Sequence, residues 1–161
     1  MGYSTEFHGG IGLAPVLTPA EIKYLRDFNR TRHNERAAGP YAVGVGIDQP
    51  GIDYNKVGAG KSGLWCGWTV APDSPGLIEW DYGEKFYNAA EWMQYLIDHF
   101  IGPSPLAAKE LPFLTGHKCN GSIEAVGSEL NDYWELTVKD SQVYVAPGSI
   151  VYGVPILVGG A

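Results

Sequence analysis

The sequence predicts a two-layer α+β domain, an antiparallel sheet of about five to seven strands with two helices on one face. Three observations carry this. In residues 80–103, WDYGEKFYNAAEWMQYLIDHFIGP, the side chains Phe86, Ala90, Met93, Ile97 and Phe100 or Ile101 recur at helical spacing, and Ala89 and Leu96 widen the stripe. A shorter helix is announced by Thr18-Pro19-Ala20-Glu21, a capping box with Pro at the first helical position. The remaining apolar runs alternate with period two and are bounded by Gly, Pro, Asp and Ser, as half-buried strands are. The resulting order is β-α-β-β-α-β-β-β, and its first six elements follow a ferredoxin-like split βαβ unit.

Taken in order, residues 3–13 form a Gly-rich first strand bent near Gly9-Gly10. The first helix spans 19–32, with Ile22, Leu25 and Phe28 on one face. Residues 33–63 hold Gly39, Pro40, Gly44, Gly46, Pro50, Gly51, Gly58, Gly60 and Gly63 among few large apolar side chains, so they read as a long Gly-rich connection. Leu64, Cys66, Trp68 and Val70 then alternate as a strand, residues 72–76 turn the chain, and 77–80 return as a hairpin. For the central helix Asp81 serves as N-cap with Glu84 three residues on, and Gly102 and Pro103 end it, Gly by tolerating positive φ. After a Pro-bounded connection with a short helical turn at 107–111 come three strands with the inner sets Cys119, Gly121, Ile123 and Ala125, then Trp134, Leu136 and Val138, then Val143 and Val145. Asp140-Ser141 turns between the last two, and 150–158 adds an edge strand, the position that Pro155 suits.

Composition bounds the function classes. At 161 residues the chain is expected to be a single domain, 1–161, large enough to bury about two thirds of its unfolded surface. With a net charge of −7 and 11 basic residues it has no cationic stretch to release counterions from a phosphate backbone, so nucleic acid is not an expected partner. Carboxylates spread evenly along the chain read as a solvated surface more than as mimicry of DNA. Cys66 and Cys119, with no basic-then-apolar leader at the start, point to buried thiols in a reducing cytoplasm, a single disulfide being the alternative. The longest apolar run, 150–158, is too short for a bilayer and is broken by Gly153 and Pro155, so no membrane association is expected.

The motifs that bear chemistry are few. Gly58-Ala59-Gly60-Lys61-Ser62-Gly63 resembles the end of a phosphate-binding loop, yet position 55 is Asn and a strand follows, which favours a plain Gly-rich loop. His117 and Cys119 share one side of a strand and with Cys66 suggest a nucleophilic pair or three metal ligands, set against inert buried cysteines as the better account. His99 suits the C-terminal dipole of the central helix. Asp81 and Glu84 would form an acid/base pair were they not both used by capping. On the outward face of the sheet the alternation gathers Trp65, Thr69, Glu124, Tyr133, Glu135 and Tyr144, two carboxylates among aromatics, suited to a small polar ligand, a cationic partner or a second subunit. Neither a metal nor a cofactor is implied.

The segment WDYGEKFY with the helix after it, the strand CNGSIEAVG and the strand pair around Trp134 and Val143 resemble a family of short uncharacterised proteins of bacteria and their phages. That pattern is a Trp-Asp-Gly element, Glu-Lys-Phe-Tyr, an aromatic-rich helix and an Asn-Gly-Glu/Ser strand. The resemblance covers residues 63–145 and departs in Tyr82, inserted before Gly83, and in the longer Pro-rich connection at 103–116. It implies a fold unit and a phage or bacterial accessory origin, and transfers no catalytic residue. The expectation is therefore a cytoplasmic binding or interaction module for a host protein or small polar ligand, open to homo-oligomerisation through the aromatic face. The competing expectations are a small hydrolase of a nucleotide-like or other polar metabolite, using Glu124, Glu135 or His117, and a virion or structural accessory protein.

Overall fold

A computed structural model describes residues 3–44 and 51–159, so Gly46 and Pro50 of the long connection lie outside the described residues. Among the described residues six strands make one antiparallel sheet: β1 (Thr5–Ala14), β2 (Trp68–Val70), β3 (Leu77–Trp80), β4 (Lys118–Gly127), β5 (Tyr133–Lys139) and β6 (Gln142–Gly148). Their order is β2-β3-β1-β4-β5-β6. With helices α1 (Pro19–Asn29) and α2 (Ala89–Leu96) intercalated, the first six elements form the split βαβ arrangement that the sequence predicts, and β5 and β6 extend it beyond β4 as a meander. Phe7, Ile11, Leu13, Ile78, Ile123, Ala125, Leu136 and Val138 meet Leu25, Phe28, Trp92, Met93 and Phe100 in one buried cluster, so both helices cover the same face.

The first helix begins where its capping box places it. Thr18 Oγ1 accepts from the Glu21 N–H (3.2 Å) and Glu21 Oε1 accepts from the Thr18 N–H (3.0 Å). It ends at Asn29, three residues short of the expected 32, because the Asn29 amide reaches across to the Cys66 and Trp68 carbonyls (2.8 and 3.2 Å), and the His33 N–H bonds the Leu64 carbonyl (2.7 Å). Tertiary hydrogen bonds there replace the next helical turn.

The central helix differs more. It starts at Ala89, not near Asp81, since Asn88 is left-handed (φ 58°) and Tyr82 and Lys85 before it are left-handed too (φ 64° and 58°). Asp81 caps nothing in α2: its carboxylate accepts from Asn29 Nδ2 (2.9 Å) and the Gly83 N–H (2.8 Å). After Leu96 the helix widens into a π turn, Ile97–Ile101, and closes with the Gly102 N–H on the Ile97 carbonyl (2.8 Å). Gly102 does end it, for a different reason from the expected one. Its φ is −75°, but a Cβ there would stand 2.4 Å from the Ile97 oxygen.

Strand β2 is shorter than the 64–70 alternation suggests, and residues 150–158 form no strand. Cys66 and Cys119 are both buried and free, and among the described residues they do not gather with His117 as three metal ligands. Among the described residues no helix is long and apolar enough to cross a membrane.

Candidate functional site

Of the six residues expected on the outward sheet face, Glu124, Tyr133, Glu135 and Tyr144 lie on the adjacent strands β4, β5 and β6, while Thr69 and Trp65 are placed apart from them. Glu124 and Glu135 are direct partners across β4 and β5, with His8 opposite Glu124 on β1 and Tyr133 nearby on β5. Thr69 sits on β2, separated from Tyr144 on β6 by four intervening strands, and Trp65 lies outside the sheet altogether. Glu124 and Glu135 stand exposed among hydroxyls: Thr137 donates to Glu135 (3.1 Å) and shares a long contact with Ser122 (3.4 Å), while Tyr144 donates to Gln142 (2.8 Å).

His117 is placed elsewhere. Its Nε2 lies 2.8 Å from Glu21 Oε2 and its Nδ1 2.6 Å from the Pro15 carbonyl, and both side chains are fully buried. The Glu21 carboxylate also accepts from Thr115 N–H (3.2 Å) and Thr115 Oγ1 (3.1 Å) besides the Thr18 N–H. Burial pushes the Glu21 carboxyl up, but the donors from Thr18, His117 and Thr115 outweigh it and hold the group below its ordinary value. Every acceptor site of Glu21 is thus used, and the pair staples the start of α1 to the start of β4. It lines none of the cavities described below. Nothing in the sequence links a capping residue to a histidine 96 positions away.

Trp65 instead opens onto the principal cavity, about 640 Å³, between residues 63–67 and 81–88. Each wall is pinned locally. Residues 64–67 are held by Asn29 on Cys66, by His33 on Leu64, and by the Asp81 N–H on the Gly67 carbonyl (2.9 Å). The opposite wall is tied back where Asn88 Nδ2 donates to the Ser62 carbonyl (2.7 Å). Phe86, from the Glu-Lys-Phe-Tyr element, forms the floor: it packs on Trp68 (5.1 Å) and Phe7 (5.7 Å), against Gly67, where an added Cβ would lie 2.4 Å from the ring. Trp65 and Tyr87, 50 % and 52 % exposed, and Val57 surround the opening. The Arg32 guanidinium lies 5.8 Å from the Trp65 ring centroid and is itself fixed by the Tyr54 carbonyl and Asn55. Asp81, Glu84 and Lys85 supply the charged rim, so the lining is apolar with a few polar groups, as small-ligand and side-chain pockets are.

The backbone of this wall is strained. Tyr82 and Lys85 in the left-handed region cost about 1–2 kcal/mol each, and such conformations persist only where surroundings hold them. Here the Tyr82 ring packs on Trp80 (4.9 Å), and the left-handed Asn88 is held by its bond to Ser62. Sequence reasoning placed Asp81, Glu84 and Phe86 on the helix, and so missed the wall they build and the role of Asn29. The Gly67 that receives Phe86 was the one available signal.

A second, smaller hollow of about 250 Å³ lies beneath the Gly-rich connection, lined by His33, Asn34, Glu35, Arg36 and Lys61 among others. Lys61 is turned inward, not toward a phosphate: its Nζ donates to the Pro40 carbonyl and to Tyr95 Oη (2.9 Å), over the Tyr95 ring. Burial pulls its amine down to about 8. His99 stacks on Tyr95 (4.0 Å) and bonds Tyr41 (2.7 Å), and burial lowers its pKa, which opposes the charge-on-dipole role expected from sequence. His33, buried with Nε2 on the Phe28 carbonyl (2.9 Å), is pulled down to about 3, chiefly by burial and then by Lys61. Burial raises both thiols, that of Cys119 to about 11, so neither is an activated nucleophile. Among the described residues no three His, Cys, Asp or Glu side chains gather as a metal ion requires.

Comparisons with protein-family models, with curated proteins and with solved structures find no match.

Proposed function

We propose that this protein is a binding module whose site is the cavity between residues 63–67 and 81–88, taking an apolar or aromatic group presented by a protein partner or a small ligand. One observation carries the reading: a half-exposed Trp65 opposite Tyr87 over a Phe86 floor, in a cavity whose walls are fixed by hydrogen bonds and whose backbone holds left-handed residues. Rigid aromatic side chains offer large contact area at little entropic cost, which is why they anchor recognition surfaces. A phage or bacterial accessory role, with a host protein as partner, fits this chemistry.

The hydrolase alternative is less well supported. Such an enzyme needs two titratable groups within hydrogen-bond reach in an open cleft. His117 and Glu21 meet the distance at 2.8 Å but are sealed, whereas Asp81, in the cavity, is bonded to Asn29 and a backbone N–H.

The test is an amide-detected NMR titration of the full chain with indole and with N-acetyl-tryptophanamide, as models of an aromatic side chain. Shifts concentrated at Gly63, Gly67, Gly83 and the Trp65 indole, and abolished in Trp65→Ala, are expected. Shifts mapping to Glu124, Glu135 and Tyr144, or none at millimolar ligand, would refute the assignment of the site.

A further inference from the structure

Among the described residues the sheet ends at β6, beyond which no further strand pairs. β6 pairs with β5 along one side, and its other side is open. Natural edge strands are guarded by charge, short length, bulges or Pro. Here the last charged residue is Asp140, and only Pro147 interrupts β6. Tyr144 and Val145 are 51 % and 54 % exposed, and beyond them Val151, Tyr152, Val154, Ile156, Leu157 and Val158 are 82–96 % exposed and outside the core cluster.

This apolar strip is on the order of 1,000 Å², about a tenth of the 9777 Å² accessible surface, more than the few hundred Å² that monomers ordinarily expose and close to the roughly 800 Å² that one partner gives a standard interface. Within it residues 150–158 form a continuous apolar run, interrupted only by Gly153 and Pro155, although no strand forms. An unpaired edge and an unpaired strand-like segment thus follow one another in the same chain.

We propose that residues 150–158 add as a strand to the open β6 edge of a second copy, reciprocally, to give a closed twofold dimer. Both complementary halves are present on every copy, so two copies satisfy each other, and Pro155 on the added strand blunts the new edge against further pairing. Residues 141–158 carry no charged side chain, so a second copy of this chain of net charge −7 meets least repulsion when it approaches there. Reach suffices as well: nine extended residues span about 30 Å, longer than the seven-residue β6. Pro155, lacking an N–H, falls on what becomes the outermost strand, the one place it fits. This surface is separate from the cavity, so the two proposals stand or fall independently.

The test is sedimentation velocity of the full chain across the micromolar range, with hydrogen exchange read at Gln142–Gly148. The wild type is expected at twice the 17.4 kDa chain mass. Val154→Asp/Ile156→Asp, at sites 89 % exposed, is expected to be monomeric with an unchanged circular dichroism spectrum, and exchange along β6 to be at least about tenfold faster than in the wild type. A monomeric wild type, a dimer that survives the double substitution, an open ladder of larger species, or a monomer that sediments with phosphatidylcholine vesicles would each overturn the proposal.

Discussion

Glu21 shows how much one side chain can carry. It closes the capping box of α1, receives Thr115, and bonds His117 in a site with no access to water. Removing one member of a buried pair leaves the other uncompensated, at a cost of about 3–5 kcal/mol. Glu21→Gln is therefore expected to lower stability by about that amount in urea unfolding, while leaving the secondary structure intact by circular dichroism. A loss below about 1 kcal/mol, the usual worth of a surface pair, would mean that the contact is peripheral. The capping box was legible in the sequence, because its two residues are three apart. The histidine was legible only as a residue type, since its partner is supplied by the packing of α1 against the start of β4.

At the scale of elements, the segment between β3 and α2 decides the site. Its Asp-x-x-Glu spacing reads as a helix cap, and it fails to become one because Asp81 is engaged by Asn29 and Gly83 while Phe86 is drawn into the core between Phe7, Trp68 and Gly67. The chain can make that detour only by placing Tyr82, Lys85 and Asn88 in left-handed conformations. Lys85, exposed and left-handed, tests the account: Lys85→Gly removes the steric cost of a Cβ and is expected to raise stability by up to about 1 kcal/mol. Calorimetry measures it, and a clear decrease would show that the Lys85 conformation is not a source of strain. Local propensity favoured an earlier helix start; long-range packing of one phenylalanine outweighed it.

For the whole molecule, buried neutral groups set the response to acid. His33 takes up a proton near pH 3 when folded and near 6.5 when unfolded, so stability contributed by the neutral form is present above about 6.5 and is lost as pH falls, by at most about 1.4 kcal/mol per pH unit for one group. Glu21, held below its ordinary value, adds a loss once pH falls past the carboxylate range. The unfolding midpoint in urea is thus expected to drop between pH 6.5 and 5, before the carboxylates titrate, and His33→Gln should flatten that part of the profile. An unchanged profile in this variant would show that His33 is not the group responsible. The same scale holds the dimer proposed through β6, in which the uncharged end of an acidic chain covers its own kind.

What the sequence determined by itself is what local chemistry dictates: the capped start of α1, the apolar faces of α2, β4 and β5, the Asp140-Ser141 turn, and an element order that admits the split βαβ sheet, whereas Val145, expected inside on β6, is 54 % exposed. Period and capping act over a few residues, so they can be read from a few residues. What only the tertiary structure decided is where side chains distant in sequence meet. The sheet order spreads Thr69, Glu124, Glu135 and Tyr144 over an open face, seals His117 behind Glu21, and brings Trp65 over Phe86 to form a cavity. Those outcomes follow from burying aromatic area and satisfying backbone hydrogen bonds between segments, energies that belong to pairs of elements and to no stretch of the chain alone.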